Sequence, residues 1–249
     1  MTHEINAAFL TEAAILVIWA FAPFYFWVTF REGDHSLRKT ILITVVIALW
    51  GVWGLGASKY RLDDFIMQGF PGRPFVYLLL SAAIVWIFRR QLVGNGLSQK
   101  LLVGLQVVRP VGMVFVLEHY RGNLPGIFAH PAGWGDLLVG IVAIAVLVRY
   151  RHQATIPDRA VILVFVLGIA DFTSAFFFGF TSSESPLQLF AFQNPNPVLD
   201  YPTGLIPLYL VPVAVIFHIL SLTEMQRARS HNWTVQRQST GQQAAPSTG

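Results

Sequence analysis

The sequence contains no cysteine and few charged residues, and both shortages exclude classes of protein. Without cysteine there is no disulfide framework, no thiolate zinc site and no cysteine nucleophile. Charged residues make up 12% of the 249 residues, against about 25% in ordinary soluble domains. The sequence also lacks Gly-x-Ser-x-Gly, Walker A and His-Glu-x-x-His motifs. It therefore gives no indication of the hydrolases, nucleotide-binding proteins and metalloproteases that carry them.

Hydrophobic residues make up 54% of the chain. A helix needs about 20 mostly apolar residues to cross the hydrocarbon core of a membrane. Seven candidate spans are predicted, at residues 8–30, 40–58, 72–89, 101–119, 126–148, 159–181 and 203–223. The third has a short apolar core, and the fourth is interrupted by Arg109 and Pro110. The sequence therefore predicts an all-α, polytopic membrane helix bundle with seven transmembrane helices.

The 17 Lys and Arg residues alternate from loop to loop if the chain crosses seven times. Twelve lie in alternate loops and the C-terminal tail, four lie in the opposite loops, and Arg109 lies within a span. Because basic loops stay on the cytoplasmic side, we expect the N-terminus outside and the C-terminus in the cytoplasm. This bias fits a multi-pass protein of a bacterial inner (plasma) membrane. It explains where the basic residues lie, so that no nucleic-acid partner is expected. Membrane lipids are the expected contact.

The transmembrane domain is predicted to cover residues 1–225. The remainder, residues 226–249, is rich in Gln, Ser, Thr and Gly and has no apolar periodicity. Such a composition does not support a packed core, so we expect a disordered cytoplasmic tail.

Several short motifs lie between Gln106 and Leu222, centred on Pro131-Ala132-Gly133 with Gly135-Asp136. The others are Leu124-Pro125, Phe128-Ala129, Asp171, Pro186-Leu187-Gln188, Pro212 and His218. In these residues the chain resembles a large group of bacterial seven-span integral membrane proteins without an assigned activity. The resemblance implies the fold and supplies no substrate or catalytic residue.

Three ionisable residues lie at similar depth in consecutive spans. With a rise of about 1.5 Å per residue, Arg109, Asp136 and Asp171 all fall near mid-membrane. Asp136 shares its helix face with Ala132 and Gly140, and small residues at this spacing let helices approach closely. We therefore expect the carboxylates to face neighbouring helices, as a salt bridge with a spare acid that could couple a proton. The alternative is a structural network that fixes helix register.

A second polar cluster is predicted at the outer face. It comprises Glu118, His119, His130 and Tyr201, with Glu12, Tyr120, Arg121 and Asp200 nearby. Imidazoles and carboxylates can bind Zn²⁺, but the chain has no spaced His motif. We therefore expect solvated span ends and no metal. His130 and His218 differ in height by about 10 Å, too much for two axial ligands of one haem. A single-His haem site stays open, and no cofactor is expected.

Three functions are compatible with these features. The first is a small transporter or ligand-binding membrane protein, with an outward-opening cavity between the fourth and seventh spans. In it, Arg109 orients an anion or pairs with the acids, and Asp136 or Asp171 carries a proton. The second is a structural or accessory subunit without catalysis. The third is a membrane-embedded enzyme acting on a lipid-like substrate through Glu118, His119 and His130. The expected ligand is a small molecule or a proton, and the sequence leaves the oligomeric state open.

Overall fold

The computed structural model describes residues 2–33, 35–64 and 72–243, and these residues contain helices and no strand. Side chains are described for 8–33, 35–64 and 72–230. The α-helices are Thr2–Glu32, Leu37–Tyr60, Arg73–Val93, Gln99–Gly104, Met113–Tyr120, Gly126–Arg149, Asp158–Ser182 and Val211–Gln243. A 3₁₀ segment covers Leu105–Gly112, and a π-helical segment covers Ile206–Leu210.

Seven helical runs are long and apolar enough to cross a membrane, and we number them as the first to seventh spans. They are Ala8–Glu32, Leu37–Tyr60, Arg73–Val93, Gln99–Tyr120, Gly126–Arg149, Asp158–Ser182 and Ile206–Ser230. The predicted all-α, seven-span class is therefore confirmed. The side of the membrane on which each terminus lies stays a prediction.

The fourth and seventh spans form the centre of the bundle. Their most apolar windows are 56% and 72% buried, whereas that of the third span is 11% buried. On the seventh span, the Phe217 ring contacts the edge of the Phe26 ring, with centroids 4.8 Å apart. Tyr209 is fully buried and meets the Trp50 ring at 5.9 Å. The seventh span thus packs against both of the first two spans.

Proline interrupts the regular helix in both central spans. Pro110 lies in the 3₁₀ segment and Pro207 in the π-helical segment, and a proline inside a helix removes one backbone hydrogen bond. The 3₁₀ segment lies directly against the fifth span. A Cβ atom on Gly140 would overlap the Pro110 ring, and one on Gly133 would overlap Val116. Glycine at these positions therefore allows the two backbones to approach closely.

The last helix runs into the predicted tail, and the boundary expected at residue 225 stays a prediction. The last helix continues to Gln243, so residues 226–243 are helical, and 244–249 lie outside the described residues. Two ion pairs stabilise the part of the helix just beyond residue 225: Arg227 pairs with Glu224 at 2.7 Å, and Arg229 pairs with Asp158. Glutamine, arginine and alanine also have favourable helix propensities. A segment without apolar periodicity can therefore continue a helix that is already anchored.

Candidate functional site

The structure brings the three predicted mid-membrane residues into direct contact. Arg109, in the 3₁₀ segment of the fourth span, donates from Nε to Asp136 Oδ1 at 2.7 Å. Its Nη2 donates to Asp171 Oδ2. The arginine is 3% exposed and each aspartate 8%. One guanidinium therefore joins the fourth, fifth and sixth spans, and we call these three residues the triad.

An aromatic ring and two glycines shape the triad. The guanidinium carbon of Arg109 lies 3.9 Å from the centre of the Phe172 ring, a geometry in which the ring attracts the cation. A Cβ atom on Gly112 would overlap the Asp136 carboxylate, and one on Gly135 would overlap a carboxylate oxygen of Asp171. These glycines therefore leave the room in which the acids reach the arginine.

The pairing differs from the expected salt bridge with a spare acid, because Arg109 contacts both aspartates. The charges still do not balance, since one cation faces two carboxylates. Within the described part of the chain, Asp171 Oδ1 and Arg109 Nη1 are buried without a hydrogen-bond partner. His218 Nε2 is also buried without a hydrogen-bond partner. This nitrogen and Arg109 Nη1 both lie against Gly168. The triad is thus held tightly and is incompletely satisfied.

A cleft leads to the two carboxylates, and its empty space, with the open mouth included, is about 600 Å³. Its lining begins at Pro74, at the start of the third span, and at Ser183, just past the end of the sixth, and it includes Asp136 and Asp171. Six phenylalanines form much of the wall: Phe75, Phe115, Phe128, Phe172, Phe176 and Phe180. If the N-terminus lies outside, the cleft opens outward. Arg109 is not part of its lining.

A second cleft borders the triad at Arg109, and its empty space, with the open mouth included, is about 500 Å³. It is lined by Arg109 together with residues of the first, fourth and seventh spans. Asp136, Phe172, Ile206 and Val211 line both clefts. Asp136 is therefore the one triad member that borders both.

The predicted outer cluster separates into three groups in the structure. Glu118 accepts hydrogen bonds from Thr11 at 2.9 Å, Arg121 at 2.6 Å and Asn123 at 2.6 Å. Because its carboxylate is already engaged on both oxygens, Glu118 is poorly placed for acid or base chemistry. This arrangement weakens the lipid-enzyme hypothesis.

The second group contains His119 and His130, and the third contains Tyr201 and Glu12, whereas Asp200 pairs with Arg61 at 3.1 Å. The rings of His119 and His130 lie 4.9 Å apart, and His119 Nδ1 donates to the Leu124 carbonyl oxygen at 2.9 Å. Tyr201 donates its hydroxyl hydrogen to the Glu12 carboxylate. Burial, aided by that carboxylate, raises the pKa of Tyr201 to about 12. Over the residues with described side chains, no group of three or more His, Asp or Glu could hold a metal ion.

Sequence reasoning missed a further cluster at the ends of the second and third spans. Arg73 Nη1 donates to Asp63 at 2.9 Å and to Asp64 at 2.8 Å. Tyr77 donates to the second oxygen of Asp63 at 3.1 Å and accepts from Trp53 Nε1 at 2.9 Å. The adjacent acids were a signal in the sequence, but charged residues at span ends are usually solvated. Asp63 is instead fully buried.

Seven apolar spans around a buried ionic triad define a multi-pass integral membrane protein. The chain belongs to a family described as a domain of unknown function, DUF8737, whose model matches residues 72–225. The matched region contains the complete triad and both irregular segments, and it leaves the first two spans outside. Comparisons with curated proteins and with solved structures find no match.

Proposed function

We propose that this membrane protein binds and transports a small ligand, and that the triad exchanges a proton for it. The observation that carries the proposal is the cleft that ends on Asp136 and Asp171. A pocket with mostly apolar walls and a few convergent polar groups is the usual form of a small-molecule site. Ionisable residues inside a membrane most often serve ligands, ions or protons.

The charge of the triad gives a physical reason for exchange. Two carboxylates and one guanidinium carry a net charge of −1 when all three are ionised. An uncompensated charge away from water is costly. Either a proton or a ligand that carries one positive charge, bound at Asp136 or Asp171, removes the imbalance. Because both act on the same carboxylates, occupancy by one opposes occupancy by the other, which is the requirement for coupling.

The irregular helices give the triad a means of changing its access. Arg109 lies in the 3₁₀ segment, and Ile206 and Pro207 of the π-helical segment line the cleft. Such segments within helices often coincide with hinges and functional sites, and transporters commonly build their binding sites at interrupted helices. Both clefts border Asp136 in this structure, and a small rearrangement of either segment would close one of them while the other stays open.

The proposal is tested by ligand screening on the purified protein in detergent. Compounds of positive, negative and zero charge are tested for a shift in thermal stability and for proton release into weakly buffered solution. We expect a compound that stabilises the wild type and releases a proton, with both effects lost in Asp136→Asn. Asp158→Asn is the matched control, because Asp158 is about half-exposed and lies away from the cleft. The proposal fails if Asp136→Asn and Asp171→Asn both keep every ligand effect and the proton release.

A structural clamp is the second candidate, favoured by the way Arg109 joins three spans. Buried polar contacts between membrane helices commonly serve packing alone. In that case Asp136→Asn lowers thermal stability, and no compound changes the stability of the wild type. The same screen therefore separates the two functions.

A further inference from the structure

The cleft presents only one sign of charge. Asp136 and Asp171 belong to its lining, whereas Arg109 lies behind them and borders the second cleft. The guanidinium is further covered by the Phe172 ring, 3.9 Å away, which also lines the first cleft. A molecule in the cleft therefore meets carboxylates and an aromatic face before it can reach the arginine. This arrangement disfavours an anionic ligand.

The walls of the cleft are aromatic. Phe75 packs against Phe176, with ring centroids 4.6 Å apart, and against Phe180 at 6.3 Å. Phe115 and Phe128 form a second pair at 5.1 Å. Aromatic faces attract organic cations through their electron-rich centres. They offer no oxygen ligands to replace the water around Na⁺, Mg²⁺ or Ca²⁺, ions that depend on such ligands.

We propose that the cleft binds an amphipathic organic monocation, with its charge beside Asp136 and Asp171 and its apolar body between the phenylalanines. This inference rests on the proposed function and names its ligand class. A single positive charge restores neutrality at the triad, and an aromatic or branched apolar body matches the walls.

The experiment compares two probes of the same shape and opposite charge, tetraphenylphosphonium and tetraphenylborate. Equilibrium dialysis of each probe is carried out with the full chain in one detergent. Partition into the micelle is removed by subtracting the value obtained with detergent alone. We expect saturable binding of the phosphonium and no saturable binding of the borate.

Two variants place the site. Asp136→Asn is expected to weaken phosphonium binding by at least about tenfold, since it removes the charge partner. Phe176→Ala is expected to weaken it about three- to thirtyfold through loss of one aromatic contact. Phe177→Ala is the matched control, because the neighbouring Phe177 ring is half-exposed and is not part of the cleft lining. Phe176→Ala leaves the ion pairs intact and so keeps the test valid if Asp136→Asn does not fold.

Other outcomes overturn the inference. Equal saturable binding of both probes would show that charge is not selected, and phosphonium binding unchanged in Asp136→Asn and Phe176→Ala would place it elsewhere. If neither probe binds, while another compound of the screen still stabilises the protein and releases a proton in a way that depends on Asp136, the proposed ligand class is wrong and the proposed function stands. If no compound of any charge has an effect, both are wrong.

Discussion

Two clusters in this protein have the same composition, one arginine and two aspartates, and differ in almost everything else. In the Arg73 cluster, at the ends of the second and third spans, a single nitrogen of Arg73 contacts both acids, and Tyr77 donates a further hydrogen bond to Asp63. The side chain of Asp64 is 31% exposed, so water shares its charge. In the triad, Arg109 uses two nitrogens for two acids whose side chains are 11% and 5% exposed.

The difference shows that composition does not decide the role of such a cluster. The Arg73 cluster joins the ends of two spans, has a tyrosine as additional donor and has water at one acid. Arg73 Nε is buried without a partner, but neither acid has a buried oxygen without one. The triad has no additional donor among the described side chains, keeps a buried oxygen of Asp171 without a partner and borders a cleft. Acids that are satisfied within their cluster serve structure. An acid that is left unpaired beside a cavity has capacity for a ligand.

The largest expected effect comes from removing each arginine. Arg109→Ala leaves two buried carboxylates without their cation and should lower the free energy of unfolding by about 3–5 kcal/mol. Arg73→Ala should cost about 1–3 kcal/mol, because Asp63 keeps the Tyr77 hydroxyl and Asp64 keeps water. Unfolding in mixed micelles measures both.

Arg61→Ala is the control for that pair of variants. The Arg61–Asp200 pair is more than half-exposed, and such pairs contribute about 0–1 kcal/mol. If Arg73→Ala proves as damaging as Arg109→Ala, the distinction between the two clusters is wrong.

A glycine substitution tests the triad without removing a charge. In Gly112→Ala the new methyl group meets the Asp136 carboxylate, and such overpacking costs about 1–3 kcal/mol. It should also weaken any ligand effect seen in the screen. In Gly179→Ala the nearest atom, on the Phe128 ring, lies at 3.4 Å, an ordinary contact. Thermal unfolding of both variants measures the difference in stability. Equal losses of stability would mean that the Asp136 carboxylate can be displaced without cost.

The absence of cysteine allows the orientation of both clusters to be measured. Gln193 and Gln153 lie in exposed loops at opposite ends of the sixth span. In intact cells we expect Gln193→Cys to react with a membrane-impermeant maleimide, and Gln153→Cys to react only after permeabilisation. The reverse pattern would place the mouth of the cleft in the cytoplasm.

The smallest expected effect concerns Tyr201. Its pKa is raised to about 12 by burial and by Glu12, whereas that of a free tyrosine is about 10. Between these values the unfolded chain has lost the proton that the folded chain retains. The contribution of the protonated Tyr201 hydroxyl to the free energy of unfolding is therefore complete below pH 10 and falls as the pH rises toward 12.

Tyr201→Phe should remove this part of the alkaline loss of stability. Unfolding measured at several pH values checks the expectation. The neighbouring charges are Glu12 and Lys59, whose ammonium lies 4.9 Å from the centre of the Tyr201 ring. Identical pH profiles of stability for Tyr201→Phe and the wild type would contradict the expected role of Tyr201.

Hydropathy predicted the spans well because each must be apolar over its whole length, a property visible in local sequence. Counting residues along helices of constant rise also predicted that Arg109, Asp136 and Asp171 share a depth. Their contacts were less predictable. That Arg109 takes both acids depends on the space left by Gly112 and Gly135.

Other features depend on packing that local sequence does not reveal. The Arg73 cluster joins two acids that follow the second span to an arginine that begins the third, and its burial follows from the arrangement of the two spans. The 3₁₀ and π-helical segments contain Pro110 and Pro207, but a proline alone also fits a simple kink. Continuation of the last helix beyond Gln226 depends on Arg227 and Arg229 finding acidic partners.

The π-helical segment has a consequence for how this protein can change over time. A π turn amounts to one residue inserted into an α-helix, and one residue corresponds to about 100° of rotation. Deleting a residue from Ile206–Leu210 would therefore turn the first residues of the seventh span relative to the rest of that span. Ile206 and Pro207 would face a different neighbour, while His218 and Glu224 kept theirs. A single-codon deletion could thus give the cleft a new wall on an unchanged scaffold.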